Sequence, residues 1–152
     1  MTSPRIDLDE AYMQMAEIWA QRSYATRSKV GALMIKDRQI ISDGYNGMPH
    51  GFANEEVEYY EDGGLSGGVL TTNPLVLHAE SNAILKCAKS GGVSSEGSTL
   101  YVTMTPCMEC CKLIIQAGIK KVFYRVAYRD MSSLAVLERA GIPVVQLSKG
   151  QS

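Results

Sequence analysis

The sequence predicts an α/β protein, a three-layer α/β/α sandwich around a mixed five-stranded sheet. Three observations predict it. The N-terminal segment spaces its apolar residues at helical period. Two apolar runs with a short polar turn between them follow as a hairpin. From residue 77 onward, helical patterns alternate with short β-rich runs, as in parallel strands joined by helices.

Leu8, Ala11, Tyr12, Met15, Ile18 and Trp19 share one helical face, so Asp7 to about Arg22 reads as a helix. Asp7, with Glu10 three residues on, makes a capping box. Val30–Ile35 and Ile40–Tyr45 are apolar runs joined by the polar turn 36–39, and they read as two strands of a hairpin. Residues 46–74 are polar, acidic and glycine-rich, including Gly63-Gly64 and Gly67-Gly68. A loop of that length is uncommon in a compact domain and is usually functional. A short helix is expected within it around residues 55–60.

Leu77 to about Ser90 is helical, with Ala83, Ile84, Cys87 and Ala88 on one side, and Gly91-Gly92 ends it. Residues 98–104 form a strand, 107–117 a helix closed by Gly118, and 121–126 a strand. Residues 132–140 form a helix ending at Gly141. The last strand, 142–147, belongs at a sheet edge because Pro143 lacks an N–H donor. No repeat or linker interrupts the series, so residues 1–152 are expected to form a single domain.

The bulk numbers narrow the function. The chain has 152 residues, long enough for one domain with a real core. Formal net charge is −1, from 15 basic and 16 acidic side chains, which gives no field for polymeric nucleic acid. No apolar run has bilayer-spanning length, so no membrane partner is expected. Met1 to Asp7 lacks the apolar run of a signal peptide. Four cysteines, two of them adjacent, do not suit a disulfide framework and point to a reducing compartment. The cytoplasm is the expected location, that of a host cell if the source is viral.

Two stretches carry the chemistry: His78-Ala79-Glu80 and Pro106-Cys107-Met108-Glu109-Cys110. A catalytic zinc takes three protein ligands and keeps a fourth position for water. Cys107 and Cys110, three residues apart, present both sulfurs on one helical turn. Thr105 is placed to cap that helix, and Pro106 to sit in its first turn. A helix N-terminus and a metal each lower a thiol pKa. His78 would supply a neutral imidazole as third ligand. Two competing readings are a closed structural zinc site completed by Cys87 or Cys111, and thiols that are merely buried. Glu80 and Pro106 favour the catalytic reading. H-x-E with P-C-x-x-C is the signature of zinc nucleobase deaminases. In that chemistry Glu80 moves a proton from water to a ring nitrogen, and on to the leaving ammonia.

The chain resembles the cytidine deaminase superfamily over most of residues 8–147, and one branch of it closely, the dCMP deaminases. The matching residues are Val30-Gly31-Ala32, the Gly44-Tyr45-Asn46-Gly47-Met48-Pro49 block, His78–Ile84 and Pro106–Lys112, with the run Leu113–Lys120. The G-Y-N-G-M-P block marks the branch. The resemblance implies a cytidine deaminase-like fold and hydrolysis of dCMP to dUMP and ammonia, which supplies dUMP for thymidylate synthesis. It also implies a homohexamer, activation by dCTP with magnesium, and inhibition by dTTP. No cysteine precedes Cys87, so one zinc per chain is expected.

Asn46 matches the family's substrate-contacting asparagine, and its amide can donate and accept; alternatively it is a turn asparagine. The 5′-phosphate needs cations and hydroxyls. Arg22, Ser23, Arg27, Ser28 and Lys29 supply them, unless they are only a solvated run. The substrate contacts expected are Asn46, Ser23, Arg27, Lys29, Ala79 and Tyr128. Tyr128 and Arg129 follow a strand at the sheet end where ligands sit; for Tyr128 the alternative is interface packing. An allosteric site is expected at Gly44, Tyr45, Asn46, Gly47 and His50, with glycines that let the turn adopt two arrangements. Rival functions are a deaminase of another base (cytidine, guanine or tRNA adenosine) and a catalytically silent zinc nucleotide-binding subunit.

Overall fold

The hairpin expected over residues 30–45 is present in the computed structural model, which describes residues 4–62, 68–128 and 130–149. Strand β1 (Gly31–Lys36) pairs antiparallel with β2 (Gln39–Tyr45). Asp37 and Arg38 turn the chain with φ of 52° and 60°. Positive φ at both turn residues suits the twist of a two-residue hairpin.

Helix α1 (Leu8–Ala20) precedes this hairpin. The Asp7 carboxylate caps it by accepting the Glu10 N–H at 3.2 Å, which is half of the expected capping box. The Glu10 carboxylate does not fold back. It accepts from the buried Arg125 guanidinium instead, at 2.9 Å.

Beyond β2 the chain departs from expectation. The short helix expected near residues 55–60 is a 3-10 turn over Asn54–Val57 alone. Glu58–Glu61 is strand β3, paired antiparallel with β4 (Val69–Thr72) in a separate two-stranded sheet. Tyr59, Tyr60, Thr71 and Thr72 favour extended backbone. The pairing residues are too far apart in sequence for a local pattern to reveal them. Gly63, Gly64 and Gly67 lie outside the described residues.

The later elements follow the expected order: α2 (Ala79–Ser90), β5 (Thr99–Met104), α3 (Met108–Gln116), β6 (Lys121–Val126), α4 (Ser132–Arg139) and β7 (Val144–Gln146). Gly91, Gly118 and Gly141 stand at the ends of α2, α3 and α4 with positive φ, the usual stop for a helix. The main sheet runs β2-β1-β5-β6-β7. β1 is antiparallel to β5, while β5, β6 and β7 are mutually parallel. β7 is an edge, as Pro143 requires. Among the described residues no helix is long and apolar enough to cross a membrane.

Strand alternation sorts the core into two faces. Leu33, Ile35, Tyr101 and Phe123 meet Tyr12, Met13 and Ala16 of α1. Ala32, Met34, Leu100, Val102 and Val122 meet Ala83, Ile114 and Leu137 of α2, α3 and α4. The result is the expected three-layer sandwich. Each large aliphatic side chain buried this way contributes about 1.5–3 kcal/mol. Two glycines let helices press on the hairpin from opposite sides. A Cβ at Gly31 would collide with the α1 backbone at Ala16 and Ala20, and one at Gly44 with the α2 backbone at Ala79 and Ala83.

Candidate metal and catalytic centre

Two helix N-termini meet at the centre. His78 is the N-cap of α2, and Cys107 is the N-cap of α3. Each helix therefore starts one or two residues later than expected. Neither N-cap side chain caps its own helix, which leaves both free to face one another. The expected cap, Thr105, does other work. Its hydroxyl accepts the Tyr128 N–H at 2.9 Å, and its own N–H donates to Val126 O at 3.0 Å. Pro106 lies before the N-cap instead of in the first turn. Its carbonyl accepts from the Ser133 hydroxyl at 2.7 Å, which ties the approach to α3 to α4.

His78 Nδ1 lies 3.4 Å from Cys107 Sγ and 3.4 Å from Cys110 Sγ. All three donor atoms fall within 4.8 Å of one another. Nitrogen at about 2.0 Å and sulfur at about 2.3 Å from one tetrahedral zinc stand about 3.6 Å apart. The donor set and spacing therefore fit zinc. The group stops at three ligands among the described residues. The Cys111 thiol points to Pro106 O at 3.8 Å, and burial pushes it up to about 11. The Cys87 thiol donates to Val93 O at 3.2 Å, beyond the far end of α2. Neither completes a closed Cys3His site.

Glu80, in the first turn of α2, is only 3% exposed. Burial pushes its carboxyl up, against the opposing pull of its own N–H, of His78 and of the Cys110 thiol, to which it is hydrogen-bonded. Burial likewise raises the Cys110 thiol, as do Glu80 and Cys107 beside it. Such a cluster is costly to charge without a cation, and a divalent ion would offset that cost. A buried carboxyl with its pKa raised is a candidate for proton transfer.

The region between α1 and β1 flanks this centre. The buried Ser23 hydroxyl donates to Asn46 O at 2.8 Å and accepts the Ala25 N–H at 3.2 Å. Asn46 Oδ1 accepts the Val30 N–H at 2.9 Å, and Nδ2 donates to Ser28 O at 2.8 Å. One amide hydrogen and one lone pair of Asn46 remain. Gly47 and Leu77 exchange backbone bonds of 3.0 and 2.8 Å, so Asn46 is linked to the start of α2 and to His78. Arg22, Arg27, Lys29 and His50 are exposed, as is Tyr128 at 56%. Arg129 lies outside the described residues. Ala79 is fully buried, its methyl group in the core.

The segment from Gly44 to Gly47 lies against α2. Gly44 lies within β2 opposite Ala32, and its missing side chain admits α2. Gly47 is bonded to Leu77 in both directions. The Tyr45 carbonyl accepts from Asn82 of α2 at 2.8 Å, and its ring meets Trp19 edge-on at 5.7 Å. These contacts join the segment to α2.

Sequence reasoning missed Glu58. Its carboxylate accepts from the Thr26 N–H at 2.9 Å, the Thr26 hydroxyl at 2.8 Å and the Arg27 N–H at 2.7 Å. Burial would raise its pKa, but these hydrogen bonds outweigh it and hold the carboxyl below its ordinary value. No signal around residue 58 announces a contact to residues some thirty positions earlier.

Comparison with known proteins agrees with this geometry. The family model of the cytidine and deoxycytidylate deaminase zinc-binding region matches residues 6–126. A deoxycytidylate deaminase of Mycobacterium phage D29 is 41% identical over 125 residues, covering 79% of this chain and 95% of that one. The human deoxycytidylate deaminase is 38% identical over 120 residues, covering 78% of this chain and 65% of that one. The crystal structure of the cyanophage S-TIM5 dCMP deaminase in complex with dCMP and dUMP superposes with a TM-score of 0.83 at 42% identity, over 95% of this chain and all of that one. The chain belongs to the cytidine and deoxycytidylate deaminase family, and it is a hydrolytic deaminase.

Proposed function

We propose that the chain, acting as one domain, hydrolyses dCMP to dUMP and ammonia. One observation carries this reading: a buried Glu80 carboxyl beside a three-ligand group of His78, Cys107 and Cys110. The dCMP and dUMP held by the similar cyanophage enzyme support the choice of substrate. His78, Cys107 and Cys110 would hold a zinc ion, which would supply Lewis-acid activation of water. Glu80 accepts the proton that water gives up and delivers it to the ring nitrogen. It then carries the second proton to the departing amine, which leaves as ammonia.

Substrate choice lies with the neighbouring loop. Arg27 and Lys29 are exposed and take the 5′-phosphate, and Ser23 and Asn46 hold the backbone that presents them. The remaining hydrogen-bonding capacity of Asn46 serves the sugar or base. Ala79 lines the substrate side of α2 through its backbone. Tyr128, exposed beside Thr105 and Pro106, covers the nucleotide.

Regulation belongs to the same proposal. In a homohexamer, dCTP with magnesium activates and dTTP with magnesium inhibits. Both act at the segment of Gly44, Tyr45, Asn46, Gly47 and His50. Magnesium follows from the charge of the triphosphate. The Asn46 bonds to Ser28 and Val30 support this, since a shift of the segment would move the phosphate-side loop with it. Exposed Ile18 and Leu85 offer apolar surface for self-association. All four cysteines are free thiols, which supports a reducing cytoplasmic location; the product there would feed thymidylate synthesis.

Ammonia release from dCMP, CMP, deoxycytidine and dAMP tests the reading. The expected order places dCMP far ahead of deoxycytidine, because the nucleoside leaves the phosphate site unpaired; CMP and dAMP, which keep the phosphate, report on the sugar and the base. Preference for the free nucleoside, or for the adenine nucleotide, would overturn it.

A further inference from the structure

The two-stranded sheet β3–β4 has no part in the chemistry described above, yet one rung of it grips Arg27 at both ends. Glu58 and Thr72 face each other across that rung. Glu58 takes the main-chain N–H groups of Thr26 and Arg27 and the Thr26 hydroxyl, at 2.9, 2.7 and 2.8 Å. Thr72 Oγ1 accepts from Arg27 Nη1 at 3.2 Å. A carboxylate near an arginine ordinarily forms a two-pronged ion pair that cancels the cation. Here the Glu58 oxygens are occupied by backbone and hydroxyl donors, and the guanidinium rests on a neutral hydroxyl. Its charge stays available to an incoming anion while its backbone is fixed. Asn46 pins the same loop from the other side, through Ser28 and Val30.

We infer that Glu58 is a positioning residue for nucleotide specificity: it locks the Thr26–Arg27 backbone so that the Arg27 guanidinium is presented to the substrate's 5′-phosphate. This rests on the reading above that the phosphate decides substrate choice. The Glu58 carboxylate bonds to Thr26 and Arg27, and none of these bonds goes to His78, Cys107, Cys110 or Glu80, so it acts on phosphate binding through Arg27 and leaves the chemical step alone.

The test is steady-state kinetics of the zinc-loaded enzyme on dCMP and deoxycytidine, with Glu58→Ala, Glu58→Gln, Arg27→Ala and the double variant Glu58→Ala/Arg27→Ala. Glu58→Ala is expected to raise KM for dCMP about tenfold, the scale of lost hydrogen bonds to a charged group, with kcat within about twofold. Efficiency on deoxycytidine is expected to stay within about twofold. Glu58→Gln keeps the shape and one carbonyl acceptor, so it is expected to fall between and serves if Glu58→Ala does not fold. In the double variant, loss of Glu58 adds nothing beyond Arg27→Ala, because both act through one group. Equal losses on both substrates, additive losses, or a lower KM for dCMP in Glu58→Ala would overturn the inference. If the wild type itself fails to prefer dCMP, the phosphate reading falls, a result separable from a preference that Glu58 variants leave untouched.

Discussion

The two halves of the candidate site are built differently. The metal half is local: His78 with Glu80, and Cys107 with Cys110, sit on the first turns of two helices that pack on one face of the sheet. Each pair is set by helical geometry, and only one long-range contact, His78 to the two sulfurs, must form. The substrate half is assembled from residues 22–30, the end of β2 and the small sheet β3–β4, none of which is positioned by its own neighbours. Ser23, Asn46 and Glu58 hold it through bonds spanning 16 to 32 positions. The contrast teaches that a reactive group can be encoded in short motifs, while the loop proposed to select substrate is held by contacts between distant segments.

That contrast can be broken first at the metal half. Cys110→Ala removes one of the three proposed ligands. Losses of about 10–100-fold in metal affinity follow from removing even the outer partners of ligands, so turnover is expected to fall by more than that. Metal content and ammonia release measured together check this. Full zinc occupancy with normal turnover would contradict it.

Asn46→Ala attacks the substrate half. It removes the bonds to Ser28 and Val30, and KM for dCMP is expected to rise about tenfold while zinc content is unchanged. Saturation curves with and without dCTP or dTTP show whether the response to effectors is lost with it. An unchanged KM would separate Asn46 from the phosphate-side loop.

A third effect lies in neither half and sets the background for both. The Arg125 hydrogen bond, followed by the Gln14 hydrogen bond and the Arg125 charge, holds Glu10 at about 2 against the cost of burial. Its folded pKa is below the unfolded value, so this stabilisation is fully present above pH about 4.5 and is lost as pH falls toward about 2. Discounted for partial exposure, it is worth on the order of 1–3 kcal/mol. Urea melts of wild type and Glu10→Gln are expected to differ by that amount at pH 7 and to converge only as pH falls to about 2. A constant difference would remove the ion pair from the account. The smallest effect is expected from Thr72→Val, about two- to threefold in KM for dCMP, since only one neutral acceptor is lost.

The legibility of the sequence follows the same division. α1, the β1–β2 hairpin and the alternating β5–β7 region are readable because each has a strong period, and the edge position of β7 follows from Pro143 alone. The grouping of His78, Cys107 and Cys110 is readable because the three stand in two short motifs, each at the start of a helix. Helix starts shift by one or two residues where His78 and Cys107 leave the helix to face each other. Thr105 reads as a cap but bonds to Tyr128, because a hydroxyl at a strand–helix junction has more than one backbone partner in reach. The β3–β4 pair and Glu58 are not readable. Acidic residues 55–61 carry no alternation, and the partners that define their role lie in other segments.

Glu80 tests the central claim most directly. Its carboxyl is buried and held toward the neutral form, so Glu80→Gln replaces it with a neutral group of the same shape and leaves the fold and the His78, Cys107 and Cys110 group in place. Zinc content and dCMP turnover are measured on one preparation. The expected result is one zinc per chain, dCMP still bound, and turnover reduced by about 10²–10⁴-fold or more, the share of positioned proton transfer. Near-normal turnover in the zinc-loaded variant would contradict the assignment of Glu80 and the mechanism built on it.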